Sequence, residues 1–223
     1  QRNTPENQLN QRVEAKDAAG AVALARGILA RDPLTAINQG NDGGRHMALQ
    51  ALETFKELPA YQAELEKQLA ETPSSVRTVY LLAEAAGRKD PTKAVEYYRK
   101  LVELKPLDTK FQTRLASLLR SSKQPEEAMR IWEGILARDP EALFMNNFSE
   151  VTETFKEAKE MSRLGEALLK LPKQTGANSS LAPYIGFSNR YAYFNEVAEA
   201  LQRENKLKEA IAIWRVVLDN SDN

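Results

Sequence analysis

The first regularity along the chain is an apolar block that ends in charge and proline. Gly27-Ile28-Leu29-Ala30-Arg31-Asp32-Pro33 recurs letter for letter at Gly134-Ile135-Leu136-Ala137-Arg138-Asp139-Pro140. Looser copies stand at Lys100-Leu101-Val102-Glu103-Leu104-Lys105-Pro106 and at Arg215-Val216-Val217-Leu218-Asp219. An alanine lies upstream of each in the same role: Ala21, Ala94, Ala128 and Ala210. Prolines at 33, 73, 106, 140 and 172 are spaced by 40, 33, 34 and 32 residues. A period of about 34 residues is the length of one helix–turn–helix unit. From Ala94 to Ala128 is one such period, whereas Ala21 to Ala94 and Ala128 to Ala210 exceed two periods by about five and about fourteen residues. The surpluses coincide with Gly-, Asn- and Ser-rich stretches at approximately 38–44 and 173–183, the composition of loops. The pattern predicts six antiparallel helix hairpins, at approximately 5–33, 44–73, 75–106, 108–140, 141–172 and 183–220, with two irregular insertions.

Local punctuation agrees with this division. In Asp139-Pro140-Glu141 the aspartate can cap a following helix, proline suits its first turn, and glutamate complements the positive end of its dipole. Asp90-Pro91 and Gln124-Pro125-Glu126-Glu127 can open second helices in the same way. Proline also drives the residue before it out of helical geometry, which stops the preceding helix.

Within the best-formed hairpin, Leu115-Ala116, Leu119, Ala128, Trp132 and Pro140 fall in a fixed order. Val197-Ala198, Leu201, Ala210 and Trp214 repeat it, and Leu82-Ala83, Ala94, Tyr98 and Pro106 repeat it with a turn one residue shorter. This pattern resembles the tetratricopeptide repeat. Its physical basis is that two antiparallel helices approach closely only where one presents a small side chain, here Ala83, Ala94, Ala116, Ala128, Ala198 or Ala210. Larger residues such as Tyr98, Trp132 and Trp214 then fill the space alongside. The second hairpin puts Tyr61 at the small position, and the fifth is expected to put Glu160 there. The resemblance implies an all-α, right-handed solenoid running through residues 1–223, in which neighbouring hairpins supply the burial.

Composition supports an all-helical chain. Ala, Leu, Glu, Lys, Gln and Arg, the strong helix formers, dominate its 223 residues. Lys plus Arg balance Asp plus Glu, 31 against 31, so the basic excess of a nucleic-acid binder is missing and RNA binding is disfavoured. The sequence contains no cysteine, which excludes disulfides and thiolate chemistry. No run of about 18 apolar residues suggests a membrane span. The polar start, Gln1-Arg2-Asn3-Thr4-Pro5, reads as part of a longer protein.

No constellation of residues for catalysis, a cofactor or a metal is expected. His46 is the single histidine and reads as a surface residue beside a loop. Asn38 to Gly44 lacks the alternating acids of a calcium loop and the Gly-Lys-Ser/Thr of a phosphate loop. The resemblance implies instead a peptide-binding groove lined by first helices, with Lys110, Thr113, Arg114, Ser117 and Arg120 facing inward in the fourth hairpin. Lys110, Arg114 and Arg120 are the candidate basic contacts, and Tyr80 and Glu84 are their counterparts in the third hairpin. A second candidate surface is Tyr184, Phe187, Arg190 and Tyr191, in an aromatic-rich stretch of the kind that anchors partners. The last helix carries more apolar residues (Ile211, Ile213, Trp214, Val216, Val217, Leu218) than one hairpin partner covers, which points to further repeats or self-association. The expected function is a non-catalytic scaffold or adaptor that binds a protein or peptide. The alternatives are an accessory region of a multidomain enzyme and a self-association module.

Overall fold

A computed structural model describes residues 4–31, 43–140, 142–143, 147–171 and 187–221, of which 43, 187–191 and 219–221 are described in backbone only. Most of both expected insertions, and Tyr184, lie outside the described residues. The chain is all-α, a succession of tetratricopeptide-like helical hairpins, with twelve helices among the described residues. It divides into two compact units, residues 1–105 and 106–223.

The first unit holds α1 (Pro5–Glu14), α2 (Ala18–Arg31), α3 (Gly43–Thr54), α4 (Leu58–Glu71), α5 (Val76–Ala86) and α6 (Pro91–Leu104). Consecutive helices pack on one another, and α1 also reaches α3. Leu9, Ala21, Ala25, Leu29, Ala48, Leu49, Leu52, Leu58, Leu65 and Leu82 form one buried cluster. Arg77, at the start of α5 in the third hairpin, closes the end of α2 in the first, donating to the carbonyls of Leu29 and Ala30 that the helix leaves unpaired. Tyr61 is buried at its unusual position, in a cluster to which α3 contributes Ala48 and Ala51.

The second unit holds α7 (Thr109–Ser121), α8 (Pro125–Arg138), α9 (Phe148–Glu157), α10 (Met161–Leu169), α11 (Phe187–Arg203) and α12 (Leu207–Ser221). α8 packs on α7 and on both helices of the next pair, α9 and α10, and α10 packs in turn on α11 and α12. The Trp132 indole N–H donates to the Thr154 hydroxyl at 3.2 Å, both groups being buried. Each hydroxyl or indole placed in such a core needs a partner: the Thr154 oxygen accepts from the indole, and its hydroxyl donates in turn to the Glu150 carbonyl at 2.6 Å.

Five of the six hairpins turn on the same device. Lys16, Lys56, Lys123, Lys159 and Asn205 each adopt a left-handed backbone, with φ of 55 to 61°. In each turn the amide of that residue bonds three residues back, and the next amide bonds five residues back, as Lys123 to Arg120 and Gln124 to Leu119 do. This is the Schellman arrangement that ends a helix, with lysine in four turns and asparagine in the fifth where glycine is the usual choice. A lysine there loses some backbone freedom but places its charge at the negative end of the helix dipole. The α5–α6 turn, residues 87–90, is one residue longer between the helix ends and has no such residue.

The five left-handed residues give a common register. Ala21, Tyr61, Ala128, Leu164 and Ala210 each stand five places after them, and Leu9, Leu49, Ala116, Thr152 and Ala198 seven places before. All ten are buried. The fifth hairpin therefore differs from the sequence expectation. Its turn residue is Lys159, so Leu164, not Glu160, occupies the small-residue position. The neighbouring Gly165 gives the room: a Cβ there would stand 3.3 Å from Leu201 Cδ1.

Candidate functional site

The first helices of the second unit, α7, α9 and α11, share a continuous polar face. Contacts between helices fix their order. Ser117 on α7 donates its hydroxyl to the Glu150 carboxylate on α9. Arg120 pairs with Glu157 at 2.8 Å and approaches Glu150 at 3.9 Å. Lys156 on α9 lies 2.9 Å from Glu153 and 3.6 Å from Glu196 on α11. Hydrogen bonds to Glu153, together with the charge of Glu196, hold the Lys156 ammonium above its ordinary range, while partial burial opposes them.

This face is polarised. At the α7 edge Lys110 and Arg114 are exposed one helical turn apart. Asp108 caps α7 through the Lys110 amide at 3.1 Å, which fixes the backbone at the exposed Lys110. Toward α9 and α11 exposed carboxylates follow, Glu153, Glu157 and Glu199, each ion-paired within the chain, to Lys156, Arg120 and Arg203 respectively. Thr113 turns its hydroxyl to the Lys110 carbonyl, one turn earlier, at 2.9 Å. Arg120 is engaged in the ion pairs that join α7 to α9.

Tyr80 and Glu84 belong to the other unit and sit differently. Tyr80 is buried, and the Arg45 guanidinium stands over its ring at 4.6 Å and donates to its hydroxyl. The Tyr98 ring meets Tyr80 edge-on at 6.4 Å, and the Tyr98 hydroxyl donates to Glu84. Both tyrosines thus serve the interior of the third hairpin. Arg45, only 3% exposed, was not singled out by sequence; the sole signal was an arginine directly after Gly43-Gly44 at a helix start. His46 beside it is exposed. In the aromatic stretch, Phe187, Arg190 and Tyr191 are placed in α11, but their side chains, like all of Tyr184, lie outside the described residues. Their neighbour Tyr193 stacks on Phe148 at 4.3 Å between ring centres and so joins α11 to α9.

Ala83, Ala94, Ala116, Ala128, Ala198 and Ala210 are all fully buried, and Tyr98 and Trp132 are 2% and 1% exposed. Trp214, at the same register position as Trp132, is half-buried. Among the described residues no group of three or more His, Asp or Glu could hold a metal ion, and no helix is long and apolar enough to cross a membrane.

Fold and packing together define an all-α helical-repeat protein of tetratricopeptide-like hairpins. No family model and no curated protein matches the chain. Among solved structures it is similar to one titled "Crystal structure of MamA", with a TM-score of 0.49 and 15% identity over 78% of this chain and 94% of that one. It is also similar to "MamA RS-1 ArsTM double mutant", with a TM-score of 0.47 and 16% identity over 77% of this chain and 89% of that one.

Proposed function

We propose that the chain is a non-catalytic protein-interaction module, which receives an extended peptide or a helix of a partner along the face of α7, α9 and α11. The observation that carries this reading is the segregation of charge on that face: Lys110 and Arg114 exposed at one edge, Glu153, Glu157 and Glu199 exposed beyond it. A rigid surface with ordered charge selects a partner of opposite order and steers its approach. Helical hairpins suit the task, because packing neighbours hold the face and the recognition side chains need not order themselves on binding. A partner segment acidic at the α7 end and basic toward α11 fits best.

The test uses fluorescent peptides of one composition, either with Glu and Lys in separate blocks or with the same residues interspersed. The block peptide is expected to bind more tightly, with an affinity that falls as salt rises. Lys110→Glu with Arg114→Glu should weaken it by about fivefold or more, since each exposed pair is worth up to about 1 kcal/mol. Arg120 is left intact because it joins two helices. Equal binding of the two peptides, or no effect of the double reversal, would count against this face.

A further inference from the structure

A different face of the second unit, on α12, has an internal template in α8. The left-handed turn residues Lys123 and Asn205 align the two helices, so Met129, Trp132 and Leu136 correspond to Ile211, Trp214 and Leu218. On α8 the three are essentially fully buried, and the Trp132–Thr154 bond shows that α9 covers them. On α12 Ile211 is 46% and Leu218 63% exposed, as is 50% of Leu207, one turn before Ile211. Leu207, Ile211, Trp214 and Leu218 follow the spacing that places residues on one stripe of a helix. Ala210 and Ile213, buried toward α10 and α11, hold the opposite side.

The flanks of the two stripes carry opposite charge. On α8, Glu126 and Glu133 border the covered stripe, and Arg163 of α10 bridges them at 3.3 and 3.0 Å. Those carboxylates hold the guanidinium above its ordinary range against partial burial. At the corresponding places α12 has Lys208 and Arg215, both exposed. A hairpin seated on α12 as α9–α10 is seated on α8 would therefore need a carboxylate where α10 has Arg163.

We infer that α12 is a docking face for a helical hairpin that is apolar along its first helix and acidic at the place on its second helix that meets Lys208 and Arg215. A second copy of this chain fits poorly. In the register of α9, the first helix α1 offers Gln8, Gln11 and Arg12 where α9 offers Val151, Thr154 and Phe155. Antiparallel pairing of α12 with itself would set Lys208 and Arg215 against the same pair of cations.

The probe is a synthetic peptide of residues 147–171, the hairpin that covers α8, made with Arg163→Glu and, for comparison, unchanged. The full chain should bind the Arg163→Glu peptide about fivefold more tightly. In the chain carrying Lys208→Glu and Arg215→Glu the preference should invert toward the unchanged peptide, and Ile211→Glu should abolish binding of both. All three positions are exposed, and circular dichroism checks that each variant stays folded. Equal affinity for the two peptides, no binding of either, or a preference unmoved by the double reversal overturns the proposal. A dimer in sedimentation equilibrium that Ile211→Glu dissociates would also overturn it, assigning the face to a second copy.

Discussion

Single residues in this chain are placed more by what they must approach than by local propensity. Gly165 lies where Leu201 and Ile213 crowd the helix, and its missing side chain makes that approach possible. Gly134 is the contrary case: a Cβ built there meets nothing within 4 Å, although the residue lies inside α8. Glycine in a helix interior costs about 0.8–1.0 kcal/mol relative to alanine. Gly134→Ala is therefore expected to stabilise the protein by about that amount in urea unfolding, whereas Gly165→Ala should destabilise it. Loss of stability in Gly134→Ala would show that the open space is needed by something else. Nothing in the structure explains why Gly27 and Gly134 stand at equivalent places. Tyr80 shows what sequence pattern leaves out. Its place on a first helix suggested a groove residue, but Arg45, 35 places earlier in sequence, covers its ring. Contacts at that separation are set by how hairpins stack, which residue spacing within one hairpin does not encode.

Helices and their turns were legible where the sequence writes the boundary in proline or a capping residue. Asp90 caps α6 through the Lys93 amide at 3.1 Å, and Pro125 opens α8. The turns within hairpins were less legible, because left-handed ends are read from glycine, and here four are lysine and one is asparagine. That is why the fifth hairpin was placed out of register: its turn is written Lys159-Glu160, with no glycine to mark it. The α1–α2 turn gives a pH-dependent test of such an element. Asp17 accepts from the Gly20 amide at 2.9 Å and pairs with Arg12, and these bonds, the Gly20 one foremost, hold its carboxyl below the ordinary 3.8. A carboxylate with a depressed folded pKa contributes stability that is present above the unfolded value and is lost as pH falls through the folded one. The Gly20 amide resonance should therefore titrate with a midpoint below 3.8, and Arg12→Ala should raise that midpoint. A midpoint at or above the ordinary value would mean that the cap does not persist in solution.

At the scale of the whole molecule, stability comes from succession. In the second unit α8 and α10 each present an apolar stripe that their own hairpin partner does not cover, and the next hairpin covers it, whereas the stripe of α12 is exposed. The period of small residues made this arrangement readable, since Ala116, Ala128, Ala198 and Ala210 recur in phase and are all buried. The division into units at residues 105 and 106 was not readable, because the proline-marked spacing runs through Pro106 without a break. The charge order of the first-helix face was legible at Lys110 and Arg114. The loss of Arg120 to Glu157 was not, since that pair joins residues 37 places apart.

The account rests on coverage of one hairpin by the next, and the two tryptophans report on it at equivalent places. Acrylamide quenching of Trp214→Phe and Trp132→Phe, each leaving one indole, measures that coverage directly. The residual Trp132 should be blue-shifted and nearly unquenched, because α9 seals it, and the residual Trp214 should be clearly quenched. Equal quenching of the two would contradict the repeat-by-repeat burial described here.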